Sequence, residues 1–166
     1  RNRVALNRDL ILSLEHIEKL TAIVGSENVT SDPYNRVKYA YGKTTEEMME
    51  LARGQIREIS DLVIHPRNKE DVCGIVRYCN DAHIPIVVFS GGSSVTLGLR
   101  PTQGGITLAL ATHMNRLLEL NEINQTARVQ PGMMGPAYET VLNRAPEMLM
   151  AKRRYTCGHF PQSFEH

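Results

Sequence analysis

The spacing of apolar and polar residues predicts an amphipathic helix near the start of the chain. Apolar side chains recur at helical spacing over residues 8–24, and Gly25 follows as a natural C-terminal cap. Residues 26–37 are mostly polar and contain Pro33, so we expect a loop or linker there. The first part of the chain is therefore expected to be one helix followed by irregular structure.

Helix and strand signals alternate through the middle of the chain. Thr44 and Glu47 have the spacing of a capping box, which predicts a helix through about residue 54. Residues 61–66 form an apolar run that ends at a proline and is typical of a short strand. Asn68 can cap the helix that follows, because its side chain can accept from the first free amide groups.

These segments predict a strand–helix–strand unit followed by further strands. Four apolar residues of the helix should face the sheet: Val72, Ile75, Val76 and Cys79. The second strand, Ile86–Phe89, follows Pro85. Later segments predict strands over residues 106–110, 117–120 and 126–130, and a helix over residues 135–144. The fold class that this order predicts is α+β.

A loop of glycine and serine follows the strand Ile86–Phe89. Its residues are Ser90, Gly91, Gly92, Ser93, Ser94 and Val95. Gly91 and Gly92 lack Cβ atoms, so the main chain can adopt positive φ and a phosphate can approach it closely. The serine hydroxyls add donors. Open α/β sheets usually bind ligands outside the carboxyl ends of their strands, so the loop indicates a site for a phosphate-bearing cofactor.

Two other phosphate-binding patterns fit the chain less well. A dinucleotide fingerprint needs Gly-x-Gly-x-x-Gly at the start of a helix, whereas the glycines here are adjacent. Gly42, Lys43 and Thr44 match the tail of a Walker A loop, but Val37 stands where its first glycine should be. On the loop alone, a turn that binds no ligand is also an open interpretation, because glycine and serine are common in turns.

Composition excludes several functional classes. The chain has 166 residues and a net charge of +1, which gives no electrostatic reason to expect binding to nucleic acid or to an anionic membrane. No apolar run approaches the roughly 20 residues needed to span a bilayer. Cys73, Cys79 and Cys157 form neither a disulfide framework nor a set of metal ligands. We therefore expect a protein of the cytoplasm or of an organelle matrix, with no metal site.

Several segments resemble the FAD-binding domain of the vanillyl-alcohol oxidase and p-cresol methylhydroxylase superfamily. They are LVIHP at 62–66, SGGSSV at 90–95, MNRLLEL at 114–120, TARVQPG at 126–132 and TCGHFPQSFE at 156–165. The last segment contains Gly-His-x-Pro-x-Ser-x-Glu, which is similar to the alkyldihydroxyacetonephosphate synthase branch. The resemblance extends over most of the chain from about Tyr39 onward.

The resemblance implies an incomplete FAD-binding domain of the p-cresol methylhydroxylase type over residues 58–166. An N-terminal helical segment and linker over residues 1–57 would precede it. The loop of residues 90–95 would hold the FAD pyrophosphate. Further candidate cofactor-binding residues are Pro131, Gly132, Thr156, Gly158, His159 and Ser163. Some members of the superfamily attach the flavin through a histidine where this chain has Ser93, so we expect FAD to be bound non-covalently.

The resemblance further implies that the chain is the N-terminal part of a flavin-dependent enzyme similar to alkyldihydroxyacetonephosphate synthase. An alternative is an oxidase or dehydrogenase of a small 2-hydroxy acid or alcohol. Two other classes are a non-catalytic flavin-binding module and a nucleotide binder that uses Lys43. The expected partners are FAD and a small or lipid-like substrate held by a further domain, with a homodimer as the candidate assembly. We assign no catalytic residue here, and we expect this segment alone to be inactive.

Overall fold

The fold contains short helices and strands in alternation. The computed structural model describes residue 6 and residues 9–157. In these residues the helices are α1 Leu14–Val24, α2 Pro33–Lys38, α3 Thr45–Ala52, α4 Lys69–Asp81, α5 Gly135–Asn143 and α6 Ala145–Met148, with 3₁₀ turns at Ser26–Asn28 and Leu110–Thr112. The strands are β1 Val29–Thr30, β2 Leu62–Ile64, β3 Ile86–Phe89, β4 Ile106–Ala109, β5 Leu117–Asn121 and β6 Thr126–Val129.

Four strands form the central sheet in the order β1-β2-β4-β3. Strands β2, β4 and β3 run parallel, and β1 pairs antiparallel with β2. The predicted strand–helix–strand unit is present as β2-α4-β3, but β4 lies between its two strands. A separate antiparallel hairpin is formed by β5 and β6. The predicted α+β class is confirmed.

The two faces of the sheet are covered differently. On one face, α1 and α4 pack against the apolar side chains of β2 and β4 in the main core. On the other face, the register places Val63 opposite Thr107, and the Thr107 hydroxyl lies 2.7 Å from that of Ser60. Arg36 of α2 donates to the carbonyl oxygen of Ser60 at 2.8 Å. Strand β2 is buried throughout, as expected for a central parallel strand.

Two predictions near the start of the chain were wrong in detail. Helix α1 begins only at Leu14, because Ser13 caps it by accepting from the amide of His16. The predicted loop over residues 26–37 contains β1 and most of α2. Pro33 stands in the first turn of α2, where it needs no amide donor, and Asp32 caps that helix. The proline therefore starts a helix instead of breaking one.

Other local predictions were confirmed, with one exception on α4. Thr44 and Glu47 form the full capping box of α3, and Asn68 caps α4 by accepting from the amide of Asp71 at 2.9 Å. Ile75 is buried as predicted, whereas Val76 is 45% exposed. Val76 follows Ile75 directly, so the helical turn of about 100° per residue carries it away from the sheet.

Candidate cofactor-binding site

The carboxyl ends of the three parallel strands meet at one edge of the sheet. Strand β3 leads into the loop of residues 90–95, and β4 leads into the 3₁₀ turn Leu110–Thr112. Strand β2 ends at Ile64, and His65 follows it directly. This edge is where open α/β sheets place their ligands, so the loop lies where its sequence predicted.

Ser90 ties the loop to a second segment that the sequence had singled out. Its hydroxyl donates to the carbonyl oxygen of Pro131 at 2.6 Å. The two residues are 41 positions apart in the chain, and Ser90 is buried. Two of the predicted cofactor-binding residues are thus in direct contact, and the Ser90 hydroxyl holds the turn at Pro131 against the loop.

Gly92 fits a position that other residues cannot occupy. Its φ is +66°, in the left-handed region, and a Cβ atom there would overlap the ring of Phe89. The Phe89 ring packs edge-to-face against that of Tyr39, with centroids 5.2 Å apart. Tyr39 packs in turn against His65 at 5.4 Å. The loop therefore lies directly on an aromatic cluster, and glycine allows this close approach.

The loop carries amide groups that could bind an anion. Within the described part of the chain, the N–H groups of Gly92, Ser94 and Val95 donate no hydrogen bond to another protein group. Backbone amides of a glycine-rich turn are suited to the oxygens of a phosphate. The residues present therefore fit the pyrophosphate of a dinucleotide cofactor.

Gly132 has a packing role beside the loop. A Cβ atom at this position would lie 2.5 Å from the Cα atom of Ala111, in the 3₁₀ turn that follows β4. The amide of Gly132 donates to the carbonyl oxygen of Met114 at 2.8 Å. The backbone of residues 131–132 is thus wedged between the glycine loop and the end of β4, which fixes three segments of the sheet edge together.

Thr156 is positioned by α5. Its hydroxyl donates to Glu139, which also accepts from the amide of Cys157 at 2.9 Å and from its thiol at 2.8 Å. These bonds lower the pKa of Glu139 to about 2, the thiol bond contributing most. Burial, aided by the neighbouring carboxylate, raises the pKa of Cys157 to about 11. A thiol in this state is a poor nucleophile. The predicted site residues Gly158, His159 and Ser163 lie outside the described residues.

His65, for which the sequence indicated no role, stands at the site edge. Its Nδ1 atom lies 2.8 Å from the hydroxyl oxygen of Thr112, which connects the ends of β2 and β4. Burial lowers its pKa, and interaction with His113 lowers it further. Its place directly after a buried strand was the sequence signal that could have identified it.

Comparison with protein families identifies the class of ligand that this domain binds. Residues 60–159 match the family described as the FAD binding domain, which is more than half of the chain. The chain belongs to this family. The FAD-binding domain thus includes β2, α4, β3, the glycine loop and the 131–132 turn. FAD is therefore the cofactor of this domain.

Two characterised relatives have different activities. Over 117 residues the chain is 36% identical to the glycolate oxidase subunit GlcD of Bacillus subtilis, covering 70% of this chain and 23% of that protein. Over 153 residues it is 26% identical to alkyldihydroxyacetonephosphate synthase of Dictyostelium discoideum, covering 91% of this chain and 24% of that protein. The chain therefore spans about a quarter of the length of these two relatives.

Solved structures confirm the fold that the sequence resemblance implied. An alkyldihydroxyacetonephosphate synthase structure superimposes with a TM-score of 0.77 at 23% identity, covering 82% of this chain and 28% of that chain. The structure of p-cresol methylhydroxylase with substrate bound gives a TM-score of 0.59 at 21% identity, covering 76% of this chain and 24% of that chain. The chain therefore has part of the FAD-binding fold of the p-cresol methylhydroxylase type.

Two further observations concern membranes and metals. None of the helices in the described residues has the length and apolar character that crossing a bilayer requires. In residue 6 and residues 9–157, no group of three or more His, Cys, Asp or Glu side chains is arranged to hold a metal ion.

The basic residues Lys152, Arg153 and Arg154 are exposed, and Arg154 pairs with Glu147 on α6.

Proposed function

We propose that this chain is the FAD-binding part of a flavin-dependent enzyme, and that residues 90–95 hold the FAD pyrophosphate. The observation that carries the proposal is the position of Gly92. This position places backbone amides at the carboxyl edge of a parallel sheet, packed on the ring of Phe89. The chain also belongs to a family that binds FAD. When bound, FAD supplies two-electron redox chemistry to the whole protein.

The residues of the edge have separate tasks in this proposal. The amides of Gly92, Ser94 and Val95 donate to phosphate oxygens. Gly91 and Ser93 complete the loop, and Ser90 fixes it to the turn of residues 131–132. Thr156, Gly158, His159 and Ser163 are proposed as further cofactor-binding residues on the sequence resemblance alone. Ser93 supplies no imidazole for attachment, so FAD is held non-covalently.

The whole protein is proposed to resemble alkyldihydroxyacetonephosphate synthase in activity. Support comes from the 91% of this chain that aligns with the Dictyostelium enzyme, against 70% for GlcD. Oxidation of a small 2-hydroxy acid is the second candidate. It is favoured by the higher identity to the GlcD subunit, 36% against 26%. A small or lipid-like substrate, a homodimeric assembly and a location in the cytoplasm or an organelle matrix are further parts of the proposal.

The test of FAD binding is a visible absorbance spectrum. The 166-residue protein is mixed with FAD and passed through a desalting column, and we expect flavin absorbance to remain with the protein. Acid precipitation should then release all the flavin into the supernatant, as non-covalent binding requires. Loss of all flavin on the column would contradict FAD binding by this chain, and flavin in the pellet would contradict the non-covalent mode.

The test that separates the two activities uses the full-length protein loaded with FAD. Anaerobic addition of glycolate or D-lactate should leave the flavin spectrum oxidised if the protein is synthase-like. Bleaching of the spectrum by either acid would support the second candidate instead. For the synthase-like candidate, the substrates to supply are acyl-dihydroxyacetone phosphate and a long-chain alcohol.

A further inference from the structure

A turn from the N-terminal part of the chain packs against the glycine loop. The amide of Lys43 donates to the carbonyl oxygen of Ser94 at 2.7 Å. A Cβ atom at Gly42 would overlap that same carbonyl oxygen. The turn of residues 42–44 therefore lies in backbone-to-backbone contact with the loop proposed to hold the pyrophosphate.

A buried carboxylate organises this turn. Glu47 has no solvent exposure. Its Oε1 atom accepts from the amide of Gly42 at 3.0 Å, and its Oε2 atom accepts from the amide and the hydroxyl of Thr44 at 3.1 and 2.8 Å. Hydrogen bonds to a charged acceptor are stronger than neutral ones, so Glu47 fixes the two ends of the turn on either side of Lys43.

A second contact joins α3 to the residues that follow the loop. Arg100 forms ion pairs with Glu46 and Glu50, which lie one turn apart on α3. Its amide donates to the carbonyl oxygen of Leu97 at 3.3 Å. The segment after the glycine loop is thus tied to the same helix that carries Glu47, so α3 is connected to the loop through the turn of residues 42–44 and to the following segment through Arg100.

We propose that Glu47 is a positioning residue for FAD binding, which acts by holding the turn of residues 42–44 against the carbonyl group of Ser94. The carbonyl of Ser94 and the amide of Val95 belong to one peptide unit. A hydrogen bond to that carbonyl therefore also fixes the direction of the Val95 amide, which is proposed to face the phosphate. The inference rests on the proposed function of the loop.

The inference extends the cofactor site beyond the matched family segment. The family match begins at residue 60, whereas Gly42 and Glu47 precede it. They also precede the boundary at residues 57 and 58 that the sequence analysis placed between an N-terminal segment and the FAD-binding domain. On this proposal, the N-terminal segment contributes to cofactor binding by shaping the loop, without itself touching FAD.

The variants that test the inference change three different residues of the turn and its support. Glu47→Gln replaces one acceptor oxygen by a donor amide that faces N–H groups. Gly42→Ala adds a methyl group against the Ser94 carbonyl and leaves Glu47 intact. Thr44→Val removes the hydroxyl bond, and Thr44→Ser restores it. Gly98→Ala is the matched control, because a Cβ atom there would meet the Ser94 side chain only at an ordinary contact distance of 3.5 Å.

Two measurements are made on the full-length protein and its variants. Titration with FAD, and separately with ADP as a probe that has the pyrophosphate without the flavin, should show dissociation constants raised about tenfold or more in Glu47→Gln, Gly42→Ala and Thr44→Val. Thr44→Ser and Gly98→Ala should stay close to wild type. Amide hydrogen exchange without ligand should be faster in residues 90–97 of the three disruptive variants and unchanged in β2 and β4.

The outcomes separate this inference from the proposed function. If the wild-type protein binds FAD and the three disruptive variants bind it equally well, the proposed role of Glu47 is overturned. The assignment of the loop is left intact by that result. Wild-type protein that binds neither FAD nor ADP would overturn the loop assignment, and the role of Glu47 in binding with it. If Glu47→Gln does not fold, Gly42→Ala and the Thr44 pair decide the question by the same criteria.

Discussion

The hydroxyl of Ser90 donates a hydrogen bond of 2.6 Å to the carbonyl oxygen of Pro131, across 41 positions of the chain. This bond joins the end of β3 to the turn that follows β6. Gly132, next in the chain, packs on the 3₁₀ turn after β4. The edge of the sheet that is proposed to bind the cofactor is therefore held by contacts between loops, and strand pairing alone does not fix it.

Replacing Ser90 by alanine should loosen this edge. The variant Ser90→Ala removes the donor to Pro131, so we expect the free energy of unfolding to fall by about 1 kcal/mol or more. Affinity for FAD should fall as well, because the loop loses its tie to the adjacent turn. Chemical denaturation and FAD titration measure the two effects. Ser26→Ala, at an exposed serine, is the matched control, and equal behaviour of the two variants would contradict the role of the bond.

Gly92 and Gly54 allow backbone strain to be separated from steric overlap. Their φ values are +66° and +68°, but a Cβ atom would overlap the Phe89 ring at position 92 and meet nothing within 4 Å at position 54. Alanine should therefore cost about 1–2 kcal/mol of stability at position 54, from strain alone. The cost at position 92 should be clearly larger. Thermal unfolding compares the two variants.

The ring of Phe89 provides a further check on this comparison. If the excess cost of Gly92→Ala comes from the ring, the double variant Phe89→Leu with Gly92→Ala should be less destabilised than the sum of the single variants. Additive losses would show that the ring is not the cause, and that another neighbour of the loop resists the added methyl group.

Local features of this fold could be predicted from the sequence because their signals lie within a few residues. The capping box of Thr44 and Glu47 is one such feature, and the strand that runs into the glycine loop is another. Pro33 shows the limit of this approach. Proline disrupts a helix interior but is favoured in its first turn, and Asp32 as a cap decides between the two.

Features that depend on distant residues could not be predicted. Nothing local places β4 between β2 and β3, because that order depends on pairing between strands that are far apart in the chain. The contact of Ser90 with Pro131 and that of Lys43 with Ser94 also join segments far apart in the chain. The sequence therefore pointed to the loop that is proposed to bind the cofactor, but not to the residues that hold this loop in place.

Cys157 should react slowly with alkylating reagents. Burial and the neighbouring Glu139 carboxylate raise the pKa of its thiol to about 11, so little thiolate is present at pH 8. The exposed Cys73 should be alkylated first by iodoacetamide. Glu139→Gln should speed the reaction of Cys157, while Glu70→Gln, on α4, should not. Peptide mass spectrometry measures each site, and an unchanged rate in Glu139→Gln would contradict the effect of the carboxylate.

His65 should make stability depend on pH on the acidic side of neutrality. Burial, with a smaller contribution from His113, lowers its pKa in the folded protein below the ordinary value of 6.5. The unfolded chain therefore binds a proton at His65 more readily than the folded chain does. The contribution of neutral His65 to the free energy of unfolding is complete above pH 6.5, and it decreases as the pH falls from there toward the folded pKa. The melting temperature should therefore drop between pH 7.5 and pH 5.5.

His65→Asn should reduce that drop, whereas His83→Asn, which changes an exposed histidine, should leave it as in wild type. An equal drop in all three proteins would assign the pH dependence to other groups and remove His65 from the titrating residues of the site edge.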